Sequence, residues 1–115
     1  MLKKPSGREQ RLTSEQRVRT ESIICKDWRC FICHREYGLD LHHCLHGAYK
    51  KLADEDGLFI ALCRYHHSRL HDFGENDKEL KALAQKSYIE MKVKEGYTSG
   101  QARGIWFSRY GRFFD

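Results

Sequence analysis

The chain has 115 residues, of which 40% are hydrophobic and 32% are charged, and a formal net charge of +5. Its length is that of one domain with a modest core, and its composition is globular rather than disordered. It contains no apolar run long enough for a membrane span or a signal peptide, so we expect a cytoplasmic protein without a membrane partner. The excess of lysine and arginine favours a polyanionic partner.

Residues 1–22 are predicted to form a basic N-terminal arm. Within the first twenty residues the basic side chains are Lys3, Lys4, Arg8, Arg11, Arg17 and Arg19, and the acidic ones are Glu9 and Glu15. We expect a short helix near residues 13–19, capped by Thr13 or Ser14. The arm is either a solvated tail or a segment that contacts phosphates.

The next part of the chain predicts two short strands followed by a helix. Residues 39–43 are expected to form the first strand, and residues 46–57 a loop with an acidic centre. The apolar run 58–62 has the length of a second strand. A short helix is predicted over residues 64–72, and Gly74 is expected to end it.

The C-terminal part, residues 76–114, is predicted to contain two further helices. Asn76 or Asp77 is expected to cap the first, whose apolar residues recur at helical spacing until Gly96 ends it. The aromatic segment 105–114 is expected to form the second helix and to pack on the core.

Residues 23–115 are therefore predicted to form a single domain of the α+β class. Its core, residues 30–71, carries the order strand, loop, strand and helix, and extra helices flank this unit. All the side chains that indicate chemistry lie within the core.

Two pairs of ligands have the spacing of a zinc site: Cys30 with Cys33, and Cys63 with His66. Two residues between ligands allow one tight turn to aim both side chains at the same ion, and tetrahedral Zn²⁺ accepts three thiolates and one imidazole. Structural zinc contributes on the order of 10 kcal/mol at neutral pH, which is comparable with the stability of a small domain. We therefore predict a structural Zn²⁺ bound by these four residues.

The other cysteines leave alternatives to this site. The chain has five cysteines, an odd number that argues against a complete disulfide framework. Cys25 and Cys44 have no partner at ligand spacing and are interpreted as ordinary thiols. His34, next to Cys33, is a weaker substitute ligand. The competing interpretation is that all the cysteines are small buried apolar residues.

Once His66 is assigned to zinc, four of the other six histidines lie on the predicted first strand and the predicted short helix: His42, His43, His67 and His71. His67 and His71 are four residues apart and project from one face of a helix, whereas His66 lies about 100° from His67. His42 and His43 are consecutive on a strand and point in opposite directions, so only one can join a shared metal site. Three imidazoles leave open positions on a divalent ion, and the remaining histidine could act as a general base.

These residues resemble the HNH, or ββα-metal (His-Me finger), endonucleases. The similarity rests on His42-His43, on the strand Leu58–Cys63, and on His66, His67 and His71. In that family a hairpin and a helix hold one divalent cation, which implies His42 as a ligand and His43 as the general base. The resemblance also implies His67 and His71 as the other ligands, as in the colicin-type members. The implied reaction is hydrolysis of DNA that leaves 5′-phosphate and 3′-hydroxyl ends.

Small HNH proteins of phages and prophages are similar in two further respects. They carry cysteine-containing knuckles, which match the four predicted zinc ligands, and an aromatic C-terminal segment. The strong part of the resemblance covers residues 30–71. One departure is the family's middle Asn, which is absent because Asp-Gly-Leu occupies residues 56–58. We expect Asp56 or a backbone carbonyl to orient His43 instead.

The resemblance makes DNA the expected partner and a divalent cation the expected cofactor. Mg²⁺ prefers oxygen ligands, so an all-imidazole site favours Mn²⁺, Ni²⁺, Co²⁺ or Zn²⁺, although phosphate oxygens could recruit Mg²⁺. The candidate DNA-binding residues are Lys50, Lys51, Arg64 and Arg69. Backbone contacts carry little sequence information, so we expect weak sequence preference and strong salt dependence. The alternative role of these residues is solubility.

Two other functions are compatible with the same residues. A zinc-stabilised DNA-binding module without catalysis would keep the four zinc ligands but would need no cation on the other histidines. A protein-interaction adaptor, such as an accessory to DNA packaging or recombination, would use the aromatic C-terminal segment. The adaptor would have little affinity for DNA even at low salt.

Overall fold

A computed structural model describes residues 21–115, so the predicted N-terminal arm lies outside the described residues except for its last two positions. The helix expected near residues 13–19 also lies outside them. The described chain has an α+β fold, as predicted, with one two-stranded antiparallel sheet and four α-helices. No helix in this part of the chain combines the length and apolar character needed to cross a bilayer.

The helices and strands follow one another closely along the chain. They are strand β1 (Leu39–His43), a 3-10 turn (Gly47–Tyr49), helix α1 (Lys50–Asp56), strand β2 (Phe59–Cys63), and helices α2 (Arg64–Phe73), α3 (Asp77–Lys94) and α4 (Ser99–Tyr110). Every residue of β2 is buried, which agrees with its continuously apolar sequence.

The pairing of the strands brings β1 next to α2. Leu39 lies opposite Cys63, the last residue of β2, and α2 begins at the following residue. Helix α2 packs against both strands. Because side chains alternate along a strand, Asp40 and His42 share one face of β1, and this is the face that meets α2.

The predicted loop over residues 46–57 contains a 3-10 turn and helix α1, so this prediction is wrong. Helix α1 lacks the usual start signals, since Tyr49 makes no side-chain cap and the first turn has no acidic residue. Its end follows the rules, because Gly57 has a left-handed φ of 76°. Tertiary contacts stabilise this helix: Ala53 is fully buried, and acidic residues at its end pair with α4.

The second strand and the next two helices lie close to their predicted bounds. β2 is shifted by one residue from the predicted run 58–62. Helix α2 ends at Gly74, which has a left-handed φ of 68°. Helix α3 follows Asn76, but the Asn76 side chain makes no capping hydrogen bond. Asp77 instead contributes a negative charge to the first turn, where the positive end of the helix dipole stabilises it.

Helix α4 starts and ends earlier than the predicted segment 105–114. Its start is a capping box, in which the side chains of Thr98 and Gln101 each accept a hydrogen bond from the other residue's backbone N–H. Trp106 and Tyr110 are buried and stack with their ring centroids 4.1 Å apart. These two rings anchor α4 in the core.

Within residues 21–115, packing on the core is already present at Ser22, one residue before the predicted start at Ile23. The Ser22 side chain is buried and donates a hydrogen bond to the backbone carbonyl of Phe59. It also accepts hydrogen bonds from two backbone N–H groups that follow it. From there one buried cluster extends from Cys25 to Tyr110.

Candidate metal centres

Four side chains meet beside the junction of β2 and α2, and we refer to them as the Cys₃His cluster: Cys30, Cys33, Cys63 and His66. Their ligand atoms all lie within 4.8 Å of one another. The Sγ atoms of Cys33 and Cys63 are 3.8 Å apart, and His66 Nδ1 lies 3.3 Å from Cys63 Sγ. Ligands of a tetrahedral zinc are about 2.0–2.3 Å from the ion and therefore about 3.4–3.8 Å from one another. The cluster has the donors and the spacing to hold a metal ion such as zinc.

A turn and a strand-to-helix junction assemble this cluster. The turn that carries Cys30 docks on β2, because the Phe31 N–H donates to a β2 carbonyl at 2.8 Å. Cys63 ends β2 and precedes α2, so His66 projects from the first turn of that helix. His34, the predicted substitute ligand, is exposed with a left-handed φ of 67° and lies outside the cluster.

The electrostatics of the thiols favours a cation between them. Burial alone would raise the pKa of Cys30, but backbone hydrogen bonds, chiefly from Cys63, outweigh burial and lower that pKa to about 6. For Cys33, a backbone hydrogen bond from Arg35 lowers the pKa, but desolvation and the neighbouring sulfurs raise it above its ordinary value. The Cys30 thiolate therefore forms readily, and its negative charge opposes ionisation of the neighbouring Cys33 thiol. A divalent cation would remove this repulsion.

The remaining cysteines, Cys25 and Cys44, lie outside the cluster and are buried. The Cys25 thiol donates to the backbone carbonyl of Asp27 at 2.8 Å. Burial raises the pKa of Cys44 to about 12, so this thiol is neutral at physiological pH. Both behave as packed thiols rather than as ligands.

A second group brings together three histidines, and we refer to it as the three-histidine cluster: His42, His67 and His71. One ring nitrogen of each lies within 4.8 Å of the others. The Nε2 atoms of His67 and His71 are 3.1 Å apart, as their spacing of four residues on α2 predicts. The His42 ring, from β1, lies 5.4 Å from the His67 ring and 6.2 Å from the His71 ring between centroids.

The His42 ring has a buried nitrogen that needs a partner. His42 is 3% exposed, and its Nε2 is the one buried side-chain nitrogen or oxygen of residues 21–115 without a hydrogen-bond partner. Burial and the nearby rings of His46, His67 and His71 lower the pKa of His42 to about 3, so the ring is neutral. An unpaired buried polar atom costs about 1–3 kcal/mol. A cation between the three rings would supply the missing partner, so these residues fit a metal ion.

Asp40 contacts one ring of the three-histidine cluster. Its Oδ2 lies 3.0 Å from His67 Nδ1, which places the ring proton on Nδ1 and leaves the Nε2 lone pair facing His71. Asp40 is not among the predicted site residues. The signal was present, because Asp40 lies two residues before His42 and therefore on the same face of β1.

His43, the predicted base, faces the opposite side of the strand, towards α1. Its Nε2 lies 3.1 Å from Oδ1 of Asp54, and 16% of the His43 side chain is exposed. Asp56, which was expected to orient His43, instead accepts hydrogen bonds from Arg109 and Tyr110. The expectation for Asp56 was wrong, because a helix rather than a loop carries these acids and directs them to different sides; the backbone-carbonyl alternative stays a prediction.

His46 and Asp77 form a further pair beside the three-histidine cluster. His46 Nε2 lies 2.8 Å from Asp77 Oδ1, and its ring centroid lies 5.3 Å from that of His42. The pair joins the loop after β1 to the start of α3, 31 residues later. No local sequence pattern connects two residues at that separation.

All four predicted DNA contacts have cationic groups that solvent can reach, and three of these residues are exposed. Lys50 and Lys51 are exposed at the start of α1. Arg64 is exposed and lies 3.6 Å from Asp40, which places it beside the three-histidine cluster. These three side chains are accessible to a phosphate backbone.

Arg69 is placed differently. Its guanidinium makes two hydrogen bonds to Glu75, at 2.8 and 3.0 Å, and lies 4.7 Å from the centroid of the Phe73 ring. It is two residues from both His67 and His71, which is about 200° around the helix. Arg69 therefore projects from the face of α2 opposite the three-histidine cluster.

Comparison of the chain with protein-family models, with curated protein sequences and with solved structures found no match.

Proposed function

We propose that this protein is a metal-dependent endonuclease of the HNH (ββα-metal) type that hydrolyses phosphodiester bonds in DNA. One observation carries the proposal: the buried, unpartnered Nε2 of His42 lies beside two further imidazoles from α2. The strand pair β1–β2 and helix α2 are the hairpin and the helix of the proposed unit. Arg64 and the lysines of α1 would neutralise the phosphate backbone of DNA.

The proposed cation binds the three-histidine cluster. Three neutral imidazoles leave coordination positions open for water and a phosphate oxygen, and they favour Mn²⁺, Co²⁺, Ni²⁺ or Zn²⁺ over Mg²⁺. A bound divalent cation would act as a Lewis acid that stabilises negative charge on the phosphate. Asp40 would maintain the metal-facing tautomer of His67.

His43 would act as the general base. Because Asp54 accepts the Nε2–H of His43, Nδ1 is left unprotonated and can accept a proton from water. The water oxygen then forms a bond to phosphorus, and the bond from phosphorus to the 3′ oxygen breaks. The leaving 3′ oxygen takes up a proton from solvent water, and protonated His43 returns its proton to the solvent, which gives the 5′-phosphate and 3′-hydroxyl ends.

The Cys₃His cluster would hold the catalytic helix at the correct position. His66 and His67 are consecutive residues of α2, so their side chains point about 100° apart. One turn of helix can therefore supply a ligand to a structural zinc and a ligand to the catalytic cation. Zinc bound at Cys63 and His66 would fix the start of α2 and, with it, the direction of His67.

A plasmid assay tests the proposed function. We expect supercoiled plasmid to convert to nicked circles with Mn²⁺ and to stay supercoiled when MnCl₂ is omitted from protein that carries one zinc equivalent, bound by the Cys₃His cluster. His71→Ala removes one ligand of the three-histidine cluster without touching the Cys₃His cluster, so it should abolish the Mn²⁺-dependent conversion. A protein that shifts the plasmid in a gel without relaxing it is the DNA-binding module, and this outcome would refute catalysis.

The lysines of α1 lead to a prediction for DNA affinity. We expect Lys51→Gln to weaken duplex binding equally for unrelated sequences, because a phosphate contact carries no sequence information. The slope of log K against log[salt] should fall by about 0.9, the value for one lost phosphate contact. Fluorescence anisotropy at several salt concentrations measures both quantities. Lys86→Gln, at an exposed lysine of α3, is the matched control and should leave the slope unchanged.

A further inference from the structure

Helix α1 holds a carboxylate against His43, and α4 holds α1. We propose that Asp54 is the positioning residue of the base, in the role of the missing Asn, and that Arg109 keeps Asp54 in place by clamping the end of α1. This inference rests on the proposed function, because it concerns the base of that reaction. Neither residue belongs to either metal cluster.

The first step is the contact between Asp54 and His43. The distance from Asp54 Oδ1 to His43 Nε2 is 3.1 Å, and the side chains are 26% and 16% exposed. An ionised carboxylate can only accept hydrogen bonds, so it selects the tautomer with the proton on Nε2. The other ring nitrogen is then the one available for water. The Phe59 ring lies beside the imidazole in a T-shaped arrangement, with ring centroids 6.2 Å apart.

The second step concerns how α1 stays in place. It has seven residues, far too few for a stable isolated helix, and one of them, Ala53, is buried. The two residues after Asp54 contact a single guanidinium. Arg109 Nε lies 2.6 Å from Asp56 and its terminal nitrogen lies 2.9 Å from Glu55. The clamp therefore grips the turn of α1 that carries Asp54.

The third step is the rigidity of the clamp itself. Arg109 has 31% of its side chain exposed, and its neighbour Tyr110 is almost fully buried. The Tyr110 hydroxyl donates to the same Asp56 carboxylate at 2.6 Å. The Tyr110 ring stacks on Trp106 in the core. A continuous set of contacts thus leads from the core of α4, through α1, to the base.

The order of the acids along α1 explains why Asp54, and not Asp56, contacts His43. Three acids are consecutive, Asp54-Glu55-Asp56, and a helix separates neighbours by about 100°. Asp54 faces β1, whereas the next two acids face α4. Helix α1 therefore contacts His43 on one side and Arg109 of α4 on the other.

The test combines kinetics with a direct readout of the ring. We expect Asp54→Ala to reduce the nicking kcat by about 10–100-fold, as for other residues that orient a functional histidine, with unchanged KM and zinc content. Asp54→Asn should restore much of the rate, because the amide oxygen accepts the same N–H. Two-bond ¹H–¹⁵N spectra should show the Nε2–H tautomer of His43 in the wild type and a mixture in Asp54→Ala.

The clamp is tested by a matched pair of arginine variants on α4. Arg109→Gln should reduce kcat in the same direction as Asp54→Ala and should shift the His43 tautomer towards a mixture. Arg103→Gln removes an exposed pair with Asp115 and should change neither. Both variants are assayed well below their melting temperatures, so that unfolding does not contribute.

Each result supports or overturns a separate statement. A wild-type rate and an unchanged tautomer in Asp54→Ala would overturn Asp54 as the positioning residue. A normal rate and tautomer in Arg109→Gln would overturn the clamp alone. If the wild-type protein does not nick DNA, the proposed function fails, and the spectra still show whether Asp54 orients the ring.

Discussion

His43→Ala is expected to remove nicking activity while the fold and both metal clusters persist. His43 belongs to neither cluster, and its contacts are with Asp54 and the edge of the Phe59 ring. Loss of a general base lowers the rate by about 10²–10⁴-fold, whereas a typical single substitution costs about 0.5–3 kcal/mol of stability, which leaves the domain folded. Single-turnover nicking with Mn²⁺, run beside zinc analysis and a thermal melt, measures all three properties.

The matched control for this prediction is His34→Ala. His34 is exposed and lies outside both clusters, so the variant should nick DNA at the wild-type rate. Unchanged nicking by His43→Ala would reject His43 as the base. A loss of zinc from His43→Ala would instead show that this histidine supports the fold.

The parts of the fold that sequence patterns predict are those whose determinants are local. The run over residues 58–62 is apolar without interruption, which is typical of a buried strand, and β2 is found one residue later. Gly74 ends α2 because its left-handed conformation suits glycine. The four-residue spacing of His67 and His71 is also local, since it follows directly from the period of a helix.

The parts that sequence patterns miss depend on distant partners. Helix α1 lacks a start signal, and its anchoring residue, Arg109, lies 53 residues away from Asp56. Without that pairing the acids of residues 54–56 resemble the charged centre of a loop, which is what the sequence predicts. The contact between Asp54 and His43 is not predictable for the same reason. Only a helical backbone turns Asp54 towards His43 and away from the two acids that follow it.

The choice of histidine ligands shows an intermediate case. Strand alternation predicts that His42 and His43 diverge, but it does not tell which of them faces α2. The register decides this, since Leu39 pairs with Cys63 and thereby places Asp40 and His42 on the side of α2. The register depends on how the two strands pair in the folded chain, and no local sequence pattern specifies it. The family resemblance, rather than periodicity, was needed to choose His42.

Cys30→Ser is expected to release the structural metal and to unfold much of the domain. Cys30 is fully buried, and its sulfur lies 3.7 Å from His66 Nδ1, so a serine would leave three ligands around the site. Zinc binding contributes on the order of 10 kcal/mol, against a total stability of about 5–15 kcal/mol for a domain. Zinc content, far-UV circular dichroism and a thermal melt should all show the loss.

The control for this change is Cys44→Ala, which alters a cysteine that is equally buried but outside the cluster. It should keep zinc and lose only about 0.5–3 kcal/mol, the usual cost of a single core substitution. The wild-type protein should melt at a lower temperature after treatment with a chelator. Equal melting temperatures with and without the chelator would remove the zinc assignment, and α2 would then need another explanation for the fixed direction of His67.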